Sequence, residues 1–92
     1  MKTRTIIKME AGEPIAFFPQ EPADLNPQHC SCYRHLGQHG AACTGYAASL
    51  KPARPYQAAP LIRELVSLGY SLDLVRKFRP VDLETRREAL GR

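Results

Sequence analysis

Proline spacing most strongly restricts how this chain can fold. Two segments, PQEPADLNPQH from residue 19 and KPARPYQAAP from residue 51, each contain three prolines. Proline lacks a backbone N–H and clashes with the preceding helical turn, so it interrupts both helices and central strands. The two segments therefore predict an ordered loop and a connector. Together they divide the chain of 92 residues into a beginning, a middle and an end.

The beginning of the chain has the pattern of a β-hairpin. Residues 3–9 alternate between two faces, with Ile7 and Met9 on one of them, which is the period of a half-buried strand. A short turn containing Gly12 separates this run from the apolar residues 15–18. Two such runs around a short turn predict two antiparallel strands.

The end of the chain predicts the main helix, a third strand and a tail. Residues 60–69 begin with proline and end with glycine, which favour the two ends of a helix. Its apolar stripe comprises Leu61, Ile62, Leu65, Val66 and Leu68. Residues 70–78 alternate again and predict a strand, and residues 81–92 predict a polar helical tail with Asp82 as its N-cap.

These elements predict an α+β fold in a single domain, residues 1–92. The order is β-β-loop-α-β-α, with a three-stranded antiparallel sheet of residues 3–9, 15–18 and 70–78. Helix 60–69 must cover the apolar face of that sheet, because neither can bury its apolar face alone. The region 19–59 is predicted to be a long irregular loop, and the composition of residues 41–50 allows a short helix inside it.

Composition narrows the class of protein. The apolar fraction is 43% and the charged fraction 24%, as in ordinary globular domains. No apolar run approaches the roughly 20 residues that span a bilayer, and the N-terminus lacks a signal-peptide core. We therefore expect a cytoplasmic protein that does not cross a membrane. Its three cysteines are an odd number, and in a reducing cytosol they would be thiols or metal ligands.

All cysteines and histidines lie in one stretch, HCSCYRHLGQHGAAC, residues 29–43. The best four candidate zinc ligands are Cys32, His35, His39 and Cys43, since zinc prefers four tetrahedral nitrogen or sulfur ligands. In a continuous helix Cys32 and Cys43 would be about 16 Å apart, at about 1.5 Å per residue, so one ion could not bind both. A broken helix could gather the four ligands, but the site would stabilise only its own loop. Zinc is thus allowed but is not required for folding.

A Cys–His nucleophile is a weaker interpretation of the same stretch. Cys32 with His35, or Cys43 with His39, could supply a thiol and a base, but no acidic residue stands in a recognisable motif to orient the base. We expect no catalytic residues, no enzyme activity and no required cofactor. Without metal, Cys32 and Cys43 would be small buried groups, and the histidines would order the loop or contact a partner.

Three pieces of the chain, TRTIIKMEAGEPIAFFP, CYRHLGQH and LIRELVSLGYSLDLVRKFRP, resemble a family of short accessory proteins of bacterial plasmids, integrative elements and prophages. The resemblance covers about residues 3–80. The residues that match its motif are Cys32, Tyr33, His35, Gly37, Gln38 and His39. The family supplies no catalytic residues, and Cys30 and Cys43 do not belong to its pattern. The resemblance implies the setting of a mobile genetic element.

That setting favours a protein-interaction module, an inhibitor or adaptor that docks on a host protein or ribonucleoprotein complex, including defence machinery. The loop 20–46 is the predicted contact surface, because aromatic residues and arginine are frequent anchors at interfaces. The predicted partner-binding residues are Tyr33, Arg34, His35, Gln38, His39 and Tyr46. A basic chain with a formal charge of +4 would fit an acidic protein surface better than it would imitate DNA.

Nucleic-acid binding is the alternative function. If the first and third predicted strands are neighbours, their outer faces would form one basic patch. Its members would be Lys2, Arg4, Lys8, Lys77 and Arg79, extended by Arg76, Arg86 and Arg87. No aromatic residues interleave with these charges as stacking platforms, so we expect only weak binding that falls steeply with salt.

Overall fold

A computed structural model describes residues 2–35 and 37–91. Met1, Leu36 and Arg92, which the predicted domain 1–92 includes, lie outside the described residues. The elements are β1 (Thr3–Glu10), β2 (Glu13–Pro22), β3 (His29–Arg34), β4 (Gln38–Cys43), α1 (Thr44–Ser49), β5 (Lys51–Pro52), α2 (Pro55–Ser67), β6 (Leu72–Leu74) and α3 (Pro80–Ala89). No helix in these described segments is long and apolar enough to cross a membrane.

One mixed sheet organises the fold. Strands β1 to β4 form an antiparallel meander in the order β4-β3-β2-β1. The other edge of β1 carries two short strands: β5 pairs antiparallel with Lys8 and Met9, and β6 pairs parallel with residues 3–5. The α+β class and the antiparallel hairpin of β1 and β2 are confirmed. The predicted three-stranded sheet is too small, because the described residues form six strands.

Most of the missed strands lie near prolines that the sequence analysis took as interruptions. Pro19 and Pro22 lie at the end of β2, where the register with β3 shifts between Phe18 and Pro22, so the missing donors fall at an irregularity. The predicted irregular region 19–59 therefore contains β3, β4, α1 and β5, and its loop between β2 and β3 is only residues 23–28.

The second proline segment is largely helical. Pro55 is the first residue of α2, where the N–H has no intrahelical partner. Pro60 lies inside the helix and not at its start, so α2 begins five residues before the predicted boundary at 60. The predicted apolar stripe is partly right: Leu61 and Leu65 are buried, but Val66 and Leu68 are more than half exposed.

Both faces of the sheet are buried, which is why neighbours such as Ile6 and Ile7 are both in the core. On one face, α2 packs over Ala16, Phe18 and Tyr33. On the opposite face, the core contains Ile6, Ile15, Phe17, Cys30, Cys32, Ala42 and Ala47, with Leu50, Val75 and Phe78 packed against it. The hydrophobic core thus includes part of the Cys/His stretch, and Cys32 is buried as expected.

The predicted strand 70–78 is mostly irregular. Only Leu72–Leu74 is strand, and its pairing with β1 is parallel, not antiparallel. Tyr70 and Leu72 pack on the α2 side of the sheet, whereas Val75 and Phe78 pack on the opposite side. The chain crosses from one layer to the other here, so a single alternating face was the wrong interpretation.

Buried polar contacts fix α3 to the sheet. Asp82 lies in the first turn of α3 and accepts from the Arg79 N–H at 2.8 Å, so it is a first-turn residue and not the predicted N-cap. Arg86, 3% exposed, donates to the carbonyls of Pro19 and Pro27. These bonds hold the loop that leaves β2.

Candidate functional site

The Cys/His stretch forms a β-hairpin of β3 and β4. Their register pairs His29 with Cys43, Cys32 with Gly40 and Arg34 with Gln38. The turn between them contains Gly37, whose φ of +82° lies in the left-handed region that favours glycine. The spacing of the motif is therefore that of strands. The short helix allowed within 41–50 is present as α1, which begins directly after β4.

The hairpin separates the four candidate zinc ligands. In an antiparallel pair, opposite residues share a face and neighbours along a strand alternate, so Cys32 lies on one face and His39 and Cys43 on the other. His39 and Cys43 are four residues apart in one strand, which is about 13 Å at about 3.3 Å per residue. Among residues 2–35 and 37–91, no group of three or more His, Cys, Asp or Glu could hold a metal ion.

The three thiols have different environments. Cys30 and Cys32 are fully buried, and burial raises the pKa of Cys30 to about 12 and that of Cys32 above its usual value. Both are therefore neutral packing groups near pH 7. Cys43 is exposed, contrary to the expectation that it would be buried, and backbone donors from Tyr46 and Gly45 lower its pKa.

The motif residues form a contact that we call the clasp: Tyr33, His35, Gly37 and Glu64. The Tyr33 hydroxyl donates to Glu64 Oε2, and His35 Nδ1 lies 2.5 Å from Glu64 Oε1. The Gly37 N–H donates to the Tyr33 hydroxyl at 3.0 Å. The hydrogen bond to Glu64 and burial raise the pKa of Tyr33. The clasp ties the tip of the hairpin to α2.

Aromatic contacts continue the clasp along the sheet. The His39 ring meets Tyr33 edge-on, with centroids 4.7 Å apart, and its Nε2 lies 3.3 Å from the Tyr70 hydroxyl. Tyr70 stacks on Phe18 with centroids 5.1 Å apart. Sequence reasoning missed Glu64 and Tyr70 as partners of the motif, and no local signal marks either residue.

The predicted partner-binding residues do not all reach the surface. Tyr33 is only 1% exposed and is held by the clasp, so it supports the hairpin from beneath. His35, Gln38 and His39 are exposed around the turn.

The other two predicted contacts, Arg34 and Tyr46, both bind Glu10. Arg34 donates from Nε and Nη2 to Glu10, and the Tyr46 hydroxyl donates to Glu10 Oε2 at 2.6 Å. These two donors lower the pKa of Glu10, Arg34 having the larger effect. Arg34 and Tyr46 thus lie on the opposite face of the hairpin from the clasp.

The outer edge of β4 is open. β4 ends the sheet, and no described strand pairs with its second edge. The Thr44 N–H donates to the Gln28 carbonyl at 3.1 Å, toward β3. Because backbone groups in a strand alternate sides, His39, Ala41 and Cys43 direct their N–H and C=O groups away from β3. All three residues are exposed.

The residues of the predicted basic patch do not form one surface. Lys8 is 7% exposed, and its Nζ donates to the Leu50 carbonyl at 3.2 Å. Arg4 is paired with Asp82 and also donates to the Lys77 carbonyl at 3.4 Å. Lys2, Lys77 and Arg79 are exposed, but Lys77 and Arg79 follow β6 and do not extend the sheet.

The chain was compared with protein-family models, curated proteins and solved structures, and none of the three comparisons found a match.

Proposed function

We propose that the protein is a non-enzymatic interaction protein that docks on a partner by adding an extended strand of the partner to the open edge of β4. Its setting is the cytoplasm of a host that carries a mobile element, where it acts as an inhibitor or adaptor on host or defence machinery. The observation that supports this function is the edge itself: a six-residue strand without a lysine, arginine, acidic residue or proline, in which the outward residues His39, Ala41 and Cys43 are exposed.

Such an open edge strand is unusual in a protein that has no binding partner. Natural edge strands are commonly blocked by charges, prolines or bulges, because unpaired backbone groups pair with any extended chain. The register of β3 and β4 shows no bulge, and the outward groups of His39 and Ala41 offer four backbone hydrogen-bonding positions. Strand addition uses such groups for affinity and the flanking side chains for specificity.

The surroundings of β4 suit this role. The clasp holds the turn against α2, so the edge is ordered before a partner arrives and less conformational entropy is lost on binding. Three exposed side chains, His35, Gln38 and His39, flank the start of the edge and provide polar selectivity.

The test compares two substitutions of Ala41, which is exposed and whose N–H points outward. Ala41→Pro removes that N–H without removing a bond to β3, since proline is tolerated on the free side of an edge strand. Ala41→Thr keeps the N–H and is the matched control. In pull-downs from a host lysate, we expect a partner captured by the wild type to be lost with Ala41→Pro and retained with Ala41→Thr.

Two further measurements complete the experiment. Nuclease treatment of the lysate should leave the captured protein in place, whereas its loss would favour the nucleic-acid alternative. Light scattering of the purified protein should give a monomer, because a dimer that Ala41→Pro dissociates would show that a second copy occupies the edge. Equal capture by the proline and threonine variants would overturn strand addition.

A further inference from the structure

A cleft of about 600 Å³ opens at the other edge of the sheet, beside β1. Its position follows from the two short strands that share this edge. The Ala53 N–H donates to the Ile7 carbonyl at 3.0 Å, and the Val75 N–H donates to the Thr5 carbonyl at 2.9 Å. Between these two contacts, β1 is bordered by the cleft and not by another strand.

The walls of the cleft are apolar in the middle. Ile6 and Ile7 of β1 line its floor, and Ala58 and Ile62 of α2 line the side above. Leu74, which is 53% exposed, lines the end formed by β6. A volume of this size lies within the range of ordinary small-molecule sites, about 300–1,000 Å³.

The ionisable residues of the cleft are all cations: Lys8, Arg54, Arg63 and Arg76. They come from four different places in the chain, namely β1, the start of α2, the middle of α2 and the segment after β6. Among the described residues no Asp or Glu lines the cleft, and none of the ion pairs between them involves these four side chains. A concave surface with charge of one sign concentrates ions of the opposite sign.

Lys8 is the most deeply buried of these four cations. It is only 7% exposed, and its ammonium donates to one carbonyl, that of Leu50. An ammonium has three donors, and buried charges in proteins are normally paired with an opposite charge. Within the described residues no carboxylate lies within 4.0 Å of this ammonium.

We propose that this cleft is a binding site for a small anionic ligand with an apolar body, such as an aromatic carboxylate or phosphate monoester. The apolar floor takes the body of the ligand, and the surrounding cations take its anionic group. The site is separate from the edge of β4, since β1 and β4 lie at opposite ends of the antiparallel meander.

The probe for this site is 1-naphthyl phosphate, titrated into the isotopically labelled protein while backbone amide shifts are followed by NMR. We expect the shifted amides to include Ile7, Ala58, Ile62 and Val75. Two further probes, neutral 1-naphthol and inorganic phosphate, should each bind at least tenfold more weakly. The first lacks the anionic group and the second lacks the apolar body. Binding of the intact probe should weaken as salt rises.

Matched variants distinguish specific binding in the cleft from long-range attraction by the net positive charge of the protein. Arg76→Gln removes a cation that lines the cleft, and we expect about a tenfold loss of affinity, as for a hydrogen bond to a charged group. Arg87→Gln makes the same change on α3, outside the lining, and should alter affinity less than twofold. The amide spectra of both variants report whether the fold is retained.

Several outcomes would overturn the proposal. Equal losses in the two arginine variants would show long-range attraction only, and equal binding of 1-naphthol would show that the cations do not contribute. An acidic peptide, Glu-Leu-Glu-Leu-Glu, is tested in parallel. If it shifts the cleft amides while 1-naphthyl phosphate does not, the cleft is a protein-docking site and the assignment to a small ligand is wrong.

Discussion

Truncation of Asp82 should be among the most destabilising single changes in this chain. Its side chain is 1% exposed, yet it accepts four hydrogen bonds. Arg4 donates twice, at 2.9 and 3.1 Å, Gln20 donates at 3.1 Å, and the Arg79 N–H donates at 2.8 Å. Asp82→Ala removes the acceptor for all of them, and the Arg4 side chain, only 15% exposed, then has no carboxylate partner at this position.

The size of the destabilisation follows from the burial of both Asp82 and Arg4. Breaking a buried ion pair from one side costs about 3–5 kcal/mol, and we expect the lower part of that range because Arg4 keeps some access to water. A domain of this length has a free energy of unfolding of about 5–14 kcal/mol, at about 0.05–0.15 kcal/mol per residue. The expected destabilisation is therefore a large share of the free energy of unfolding, and it corresponds to a fall in Tm on the order of 15–25 °C.

Urea and thermal unfolding of Asp82→Ala at pH 7 measure this effect. The control is Glu84→Ala, two residues further along α3 and exposed, which should change the free energy of unfolding by less than about 0.5 kcal/mol. A similarly small change in Asp82→Ala would refute the argument that the buried network stabilises the fold.

The same network predicts a pH dependence. Burial opposes ionisation of Asp82, but the donors from Arg4, Arg79 and Gln20 outweigh it and lower its pKa. A lowered folded-state pKa contributes stability above the unfolded value, about 3.9 for aspartate, and this stability is lost as pH falls through the folded-state pKa. The difference in stability between wild type and Asp82→Ala should therefore narrow below about pH 4.

Three further changes test other parts of the structure. Tyr33→Phe removes the hydroxyl that joins Glu64 to Gly37 and should lower the free energy of unfolding by about 1–2 kcal/mol. It should also speed amide exchange in β3 and β4, and unchanged exchange would show that the clasp does not hold the hairpin. Leu65→Asp buries a carboxylate beneath α2 and should abolish cooperative thermal unfolding, so a wild-type melt would mean that this helix face is assigned wrongly. Chelation should leave Tm unchanged, whereas about one equivalent of zinc per chain, with collapse of the fold on its removal, would contradict the metal-free interpretation.

Local periodicity was enough to predict the hairpin of β1 and β2 and the two most buried leucines of α2, Leu61 and Leu65. Both depend on interactions between residues close in sequence, since alternation specifies a strand and the spacing of Leu61 and Leu65 specifies a helix face. The α+β class followed from the same signals. For α2 the prediction was right at Leu61 and Leu65 and wrong at the helix ends and at Val66 and Leu68, which are exposed.

The proline segments could not be interpreted correctly from sequence. The cost of a proline depends on whether its missing N–H would have had a partner, and that depends on strand register and helix position. Pro22 lies where the register of β2 and β3 shifts, and Pro55 lies at the first position of α2. Both are tolerated for reasons that only the paired or capped backbone shows.

The candidate sites were decided by tertiary structure. The Cys/His stretch identified a segment of interest, but its spacing suited several interpretations until the hairpin placed Cys32 and His39 on opposite faces. Glu64 reaches Tyr33 across 31 positions of sequence, and the cleft gathers Lys8, Arg54 and Arg76 from three separate segments. Local sequence encodes the direction in which each side chain leaves its strand or helix. Only the packing of distant segments decides which side chains meet, because that choice depends on burying both faces of one sheet at the same time.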